Sequence, residues 1–182
     1  MRKFLSLLFI TIIFCKDIFS YEYKDFIIKA QINIYPKLLL FDNSLKSRCK
    51  DNNLIFTIVA NKDDFYKATL IKNQIEKLYT NLGSFNLKVK VKSFKDIKLL
   101  DNSNAYYILN STTKDIKNVV NIAIKHHAFT FSYDINYLNS GVLLSLNIDE
   151  EAKIYINKKY FNIYNIDFNQ AIFQTVRFYY DN

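Results

Sequence analysis

The sequence predicts a single α/β domain: a mixed, mostly parallel sheet with flanking helices that ends in a C-terminal hairpin plus helix. Three observations predict this fold class. Strand-like apolar runs alternate with amphipathic helix-like segments, as crossover connections between parallel strands require. Half of the 182 residues are hydrophobic, which suffices for one packed core and excludes a disordered chain. No repeat, low-complexity tract or linker divides the sequence.

Residues 1–20 have the pattern of a signal peptide, which leaves residues 21–182 as the predicted domain. Two basic residues precede an uncharged apolar run at residues 4–14, which is short for a membrane span of ~20 residues. Ser20 is a small residue suited to the position before a cleavage site. We therefore expect export to the periplasm with cleavage near Ser20. A retained anchor and lipidation at Cys15 are the alternatives.

A first helix is predicted over residues 25–41, with Pro36 expected to kink or divide it because proline lacks a backbone donor. The helix carries more apolar side chains than one sheet-facing stripe needs, so we expect it to be buried on more than one side. It is therefore a candidate surface for a second copy or a partner, and a sandwiched core position is the alternative. The candidate interaction residues are Phe26, Ile27, Ile34, Leu38, Leu39 and Phe41.

The next three elements form a strand–helix–strand unit. Residues 54–60 are a continuous apolar run, typical of a strand that is buried on both faces. Asp64 is the expected N-terminal cap of a helix that reaches Tyr79, and Gly83 is expected at the C-terminal end of that helix. Residues 85–92 alternate strictly between apolar residues and lysine or asparagine, so one face of this strand is expected to be wet.

The same unit follows again. Residues 105–109 predict a short strand, residues 110–113 a capping loop, and residues 116–124 the apolar side of a helix. A further strand is expected to start at Ala128.

The C-terminal third begins with this strand and continues into a hairpin. Two apolar runs flank the acidic turn at residues 149–151, which predicts two antiparallel strands. Residues 169–180 are then expected to form a closing helix.

No catalytic residue, cofactor or metal site is predicted. His126 and His127 are adjacent, without the spacing of a zinc-binding helix, and only two glycines are present, too few for a phosphate-binding loop. An exported hydrolase is disfavoured because no nucleophile–base pair is visible. The sequence instead favours a binding protein, with four aromatic residues as the candidate lining of a ligand cleft: Tyr106, Tyr107, Phe129 and Phe131.

The charged residues and cysteines exclude further classes. The formal net charge is +8, but no lysine block interleaves with aromatic residues, so nucleic acid is not an expected partner. Cys49 is the one cysteine outside the predicted signal peptide, so no disulfide is expected within the chain. Basic residues on both sides would favour the thiolate of an exposed Cys49. The alternatives are pairing between chains and an unpaired thiol without a role.

The order of these patterns resembles the YfiR-like periplasmic regulators over nearly the whole predicted mature chain. A helix runs to a proline, a strand leads into a helix, and a short strand ends in a Ser/Thr loop. A glycine then opens an apolar strand, a strand closes on asparagine, and an apolar helix ends the chain. The corresponding segments are Phe26–Pro36, Leu54–Leu78, Tyr106–Leu109, Gly141–Asn147, Ile154–Asn157 and residues 169–180.

This resemblance implies a homodimeric, non-enzymatic protein that restrains a membrane-bound diguanylate cyclase by binding its periplasmic domain, and so controls cyclic-di-GMP and biofilm formation. Two departures limit what it implies. The founding members carry paired cysteines, which Cys49 alone does not reproduce, and their double glycine is Ser140-Gly141 here. The periplasmic domain of a sensor kinase is the alternative partner. The alternative function is a small periplasmic solute-binding module that feeds a membrane receptor or sensor kinase.

Overall fold

The computed structural model describes residues 19–180, with side chains from Asp25 onward. The predicted signal peptide at residues 1–20 lies outside this range, except for its last two residues, which begin the first helix. Across the described range, no helix is both long enough and apolar enough to cross a membrane.

Within residues 19–180 the chain forms five α-helices and eight strands. The helices are α1 (Phe19–Leu38), α2 (Leu45–Arg48), α3 (Phe65–Leu78), α4 (Thr113–Lys125) and α5 (Lys158–Phe161). The strands are β1 (Asn53–Ala60), β2 (Asn81–Leu82), β3 (Phe85–Ser93), β4 (Ala105–Ile108), β5 (Phe129–Ser132), β6 (Leu144–Ile148), β7 (Ala152–Asn157) and β8 (Val176–Tyr179). Short 3-10 turns lie at Leu39–Phe41, Lys62–Asp64, Phe94–Asp96, Ile135–Ser140 and Gln170–Gln174.

The strands form one mixed sheet in the order β2-β3-β1-β4-β5-β6-β7-β8. The five central strands from β3 to β6 are mutually parallel, β2 and β7 run antiparallel to their inner neighbours, and β8 runs parallel to β7. The predicted fold class, an α/β domain with a mixed, mostly parallel sheet, is therefore confirmed.

Helices cover the two faces of this sheet unequally. On one face, α1 packs over the central strands, where Tyr35 stacks on Phe131 with ring centroids 4.6 Å apart, and α3 lies beside it with Ala68 and Ile71 buried. On the other face, α4 buries Val119 and Val120 against β4 and β5. Among the described residues, no helix packs across the half of that second face formed by β1 and β3.

Two side chains of α1 join β5 to β6 at the point where these strands diverge. The two strands pair only at Phe131–Leu144 and Ser132–Ser145. Beyond this point, the Tyr35 hydroxyl donates to the carbonyl of Ser132 at 2.8 Å and accepts the N–H of Leu146 at 2.8 Å. Tyr35 thus satisfies backbone groups that a continued ladder would have paired.

Gln31 completes this connection. Its side-chain amide donates to the carbonyl of Tyr133 at 2.9 Å, and its carbonyl accepts the Tyr107 hydroxyl. Gln31 and Tyr35 are both fully buried. We call these two side chains the α1 bridge. Because they replace hydrogen bonds of the sheet itself, α1 is an integral part of the core.

Two local predictions need correction. Of the kink or division expected at Pro36, the division does not occur: Pro36 lies in the last turn of α1, which continues to Leu38 before tightening into a 3-10 turn. At that position proline removes one hydrogen bond near the helix end, and the burial of Tyr35 and Leu38 holds the turn in place. Gly83 does not end α3, which stops at Leu78. It occupies the β2–β3 turn with φ of +61°, a conformation that favours glycine.

The prediction of a closing helix at residues 169–180 is also wrong. This segment forms a 3-10 turn and then β8. In β8, Val176 and Phe178 alternate onto one face and pair with Ile154 and Ile156 of β7. The strand period therefore overrides the helical interpretation, because pairing with β7 satisfies the backbone while burying Val176.

The α1 bridge leads to a stability prediction. Replacing Tyr35 with Phe keeps the buried ring but leaves the Leu146 N–H without its acceptor, so the free energy of unfolding should fall by about 1–3 kcal/mol. Tyr66→Phe is the matched control, because Tyr66 is exposed on α3, and should change it by less than about 0.5 kcal/mol. Urea unfolding of both variants measures the difference; equal effects would contradict the role of the bridge.

Candidate functional site

The four aromatic residues expected to line a ligand cleft are fully buried. Tyr107, Phe129 and Phe131 lie on the face covered by α1, and Phe129 and Phe131 stack at 5.8 Å. Tyr106 points to the opposite face, because successive side chains of a strand alternate between the two faces of the sheet. The rings therefore fill the core and line no open cleft in the part of the chain that the structure describes, which corrects the expected cleft.

The expected interaction residues of the first helix are mostly buried as well. Ile27, Leu38 and Leu39 belong to the core, and Ile34 and Phe41 are half-buried. Phe26 alone of the six is well exposed, at 60%. The segment is thus mainly a core element, as the alternative of a sandwiched position predicted, and of the six residues only Phe26 is open to a partner.

The carboxyl ends of β1 and β4 are the place where parallel α/β sheets usually bind ligands, because the connecting helices leave on opposite faces there. Here that place is closed. The Asn61 side chain donates to the carbonyl of Asn110 at 2.9 Å, and the Tyr137 hydroxyl donates to the Asn110 side chain at 3.3 Å. The space left beside Lys67 and Tyr133 measures only about 10 Å³.

An open cleft of about 560 Å³ lies instead on the uncovered half of the sheet, near the amino ends of β1 and β4. We call it the basic cleft. Its charged lining comprises Arg48, Lys50, Asp51, Lys88 and Lys90, and the His126 ring lies beside them. Asn53, Ile55, Asn102, Ser103 and Asn104 complete the lining.

The cleft is open because the connection from β3 to β4, residues 94–104, crosses this face with only one 3-10 turn. A crossover helix would have covered β1 and β3 here. Lys88 and Lys90 alternate with buried Leu87 and Val89, so both lysines point to the uncovered face. Cations of the sheet itself therefore form the floor of the cleft.

The walls of the basic cleft are held by hydrogen bonds. The Asn104 side chain accepts the N–H of Ile55 at 2.8 Å and donates to the carbonyl of Arg48 at 3.1 Å. Ser103 and Thr57 share a hydroxyl hydrogen bond of 2.7 Å. Nε2 of His126 donates to the carbonyl of Leu99 at 2.6 Å, since a carbonyl only accepts. These contacts tie the crossing segment to β1 and to the end of α4.

The Arg48 side chain is occupied by contacts within the protein. It forms an ion pair with the buried carboxylate of Asp42 and donates to the carbonyl of His127. Burial raises the pKa of the neighbouring Cys49 thiol, and the Arg48 charge lowers it by less. Cys49 is half-buried, so the thiolate expected for an exposed cysteine is not favoured.

A second surface lies at the last edge of the sheet. The edge aromatic cluster consists of Phe161, Phe168, Phe173 and Phe178. Phe168 contacts the core ring Phe129 at 5.5 Å, and Phe161 links Phe168 to Phe173 at centroid distances of 5.4 and 5.8 Å. Phe173 is 41% exposed. Among the described residues, no strand pairs with the outer side of β8, which carries Phe178.

The described residues contain no group of three His, Cys, Asp or Glu side chains arranged to hold a metal ion. His127 is bound to the carbonyl of Tyr164 at 3.2 Å, so the two adjacent histidines contact different segments. The acidic residues 149–151 lie in the β6–β7 turn, as predicted.

No protein-family model and no curated protein matches this sequence. Its architecture is similar to that of solved structures. A conserved domain protein from Vibrio cholerae has a TM-score of 0.53 at 14% identity, over 83% of this chain and 59% of that one. The ABC domain in complex with L-Trp from Streptococcus pneumonia has a TM-score of 0.49 at 12% identity, over 78% of this chain and 60% of that one.

This chain thus spans about three fifths of the length of each of these structures. At such low identity, the similarity to the Vibrio cholerae protein shows a shared fold and nothing about function.

Sequence reasoning missed the basic cleft, although one signal was present. The lysines of residues 85–92 were expected on a wet face, and they are. No local pattern indicated that residues 94–104 would form a wall across that face. Asn104 and Ser103 hold this wall through hydrogen bonds to Ile55 and Thr57, which are 49 and 46 residues away in sequence.

The buried tyrosines lead to a pH prediction. Burial raises the pKa of Tyr106 to about 12 and raises those of Tyr35, Tyr107 and Tyr164 further above their ordinary value. The folded state therefore retains protons that the unfolded state releases above about pH 10. Below about pH 10 these four groups should have no effect on how the free energy of unfolding changes with pH. Above about pH 10 the free energy of unfolding should fall by about 1.4 kcal/mol per pH unit for each group.

Denaturant unfolding across the alkaline range measures this slope, and ultraviolet absorbance of tyrosinate counts the ionised rings. Of the 14 tyrosines, the fully buried Tyr35, Tyr107 and Tyr164 should ionise only as the protein unfolds, and Tyr106 should stay protonated up to about pH 12. Ionisation of all tyrosines while the fold persists would contradict the closed core.

Proposed function

We propose that this protein is an exported, non-enzymatic regulator that acts by contact with the periplasmic domain of a membrane signalling enzyme of the diguanylate cyclase type, and that it forms a homodimer. The resemblance to YfiR-like regulators in the segments before residue 169 supports this proposal, whereas the apolar helix that the resemblance implies at residues 169–180 is a 3-10 turn followed by β8. The fold is of the kind that the resemblance implies, one α/β domain with a hairpin near its C-terminal end.

The edge aromatic cluster is the observation that carries the proposal. Its rings form a continuous path from the buried Phe129 to the exposed Phe173. Phe178 belongs to an edge strand whose outer backbone groups have no partner strand within residues 19–180. An exposed ring backed by half-buried rings, beside an open strand edge, is a feature that a protein partner covers, through ring burial and strand addition.

The test replaces Phe173 with Glu in the gene of the source bacterium. A charge on the edge aromatic cluster should abolish partner contact, so the variant should change cellular cyclic-di-GMP as much as deletion of the gene does. Because Phe173 is already 41% exposed, the variant should fold. Cyclic-di-GMP measured by mass spectrometry and the thermal midpoint of the purified variant give the two readouts.

The matched control is Tyr66→Glu, the same kind of change at an exposed ring on α3, which should leave cyclic-di-GMP at its normal level. Phe26→Glu tests the exposed end of α1 in the same way. Light scattering of the purified variants reports whether either position is part of a homodimer contact. Unchanged cyclic-di-GMP after deletion of the gene would reject the regulatory role.

A further inference from the structure

The cations of the basic cleft are not all neutralised by the protein. Arg48 is paired with Asp42, and Lys92, two residues along β3 from Lys90, is paired with Asp101. Among the described residues, no ion pair involves Lys50, Lys88 or Lys90. Three ammonium groups therefore face one concave surface, with Asp51 as its single acidic lining residue.

The position of these lysines suits a ligand with more than one charge. Lys88 and Lys90 are two residues apart on one face of β3, which places their Cα atoms about 6–7 Å apart. Lys50 approaches from the loop between α2 and β1. A ligand that carries a single charge engages one of these groups, whereas a ligand with two or more charges engages several at once and gains from each.

The shape of the cleft distinguishes it from an ordinary solvated lysine face. Its volume of about 560 Å³ lies within the range of small-molecule sites, about 300–1,000 Å³. Its walls are fixed by the contacts of Asn104 and Ser103, so little ordering is needed when a ligand enters. The half-buried Ile55 on its floor offers an apolar surface for a carbon skeleton.

We propose that the basic cleft binds a small anionic ligand that carries two or more carboxylate or phosphate groups. Lys50, Lys88 and Lys90 contact the anionic groups, and the polar side chains of Asn53 and Asn102 orient them. This inference is independent of the regulatory role, because it concerns a different surface and its test measures binding by the isolated protein.

The experiment is an amide chemical-shift titration of the purified protein at low ionic strength with citrate and, separately, with tripolyphosphate. Acetate serves as the carboxylate with a single charge. Citrate or tripolyphosphate should produce saturable shifts centred on Lys50, Lys88, Lys90 and Asn102, and acetate should not. The two arms distinguish a carboxylate ligand from a phosphate ligand. The shifts are mapped on the unaltered protein, so the result holds even if a variant fails to fold.

A double variant, Lys88→Gln with Lys90→Gln, should weaken the binding at least tenfold. The matched control, Lys62→Gln with Lys77→Gln, removes the same charge from two exposed lysines outside the cleft and should weaken it less than twofold. Equal weakening by both pairs would show attraction by net charge alone and overturn the proposal. The absence of saturable shifts with either multivalent probe would also overturn it.

Discussion

The α1 bridge is the interaction on which the rest of the structure depends. Where β5 and β6 separate, two carbonyls and one amide of the sheet would be buried without partners, at a cost of about 1–3 kcal/mol each. Tyr35 and Gln31 satisfy them from a helix that is distant in sequence. Tyr35 is 97 residues from its acceptor Ser132, and Gln31 is 102 residues from its acceptor Tyr133. Gln31 also accepts the Tyr107 hydroxyl, and the Tyr35 ring packs edge-on against the Tyr107 ring, so α1 closes the aromatic core on this face.

This closure determines where a ligand or partner has access. Tyr107, Phe129 and Phe131 are sealed under α1, and the carboxyl ends of β1 and β4 are joined by Asn61 and Asn110. Two of the surfaces that stay accessible on the described residues are the basic cleft on the half-covered face and the edge aromatic cluster beside β8. The first has cations and firm walls, which suit an anionic small molecule. The second has the exposed ring of Phe173 and an open strand edge, which suit a protein.

The sequence predicted those elements whose pattern is local. The strand at residues 54–60, the helix that starts after Asp64 and the helix capped by Thr112 all form close to where their periodicity placed them. Asp115 donates its N–H to the Thr112 side chain, as a cap requires. The expectations that failed depend on distant contacts. Residues 176–179 form a strand because β7 is beside them, and Tyr107 is sealed because Gln31 reaches it.

Hydrogen exchange at the Leu146 amide tests the closure of the core by α1 most directly. This amide donates to the Tyr35 hydroxyl and not to a neighbouring strand. If the α1 bridge is intact in the native state, the amide should exchange only through global unfolding, as slowly as amides in the middle of β1. Exchange much faster than those amides would show that α1 lifts from the sheet, and that the aromatic core opens to ligands after all.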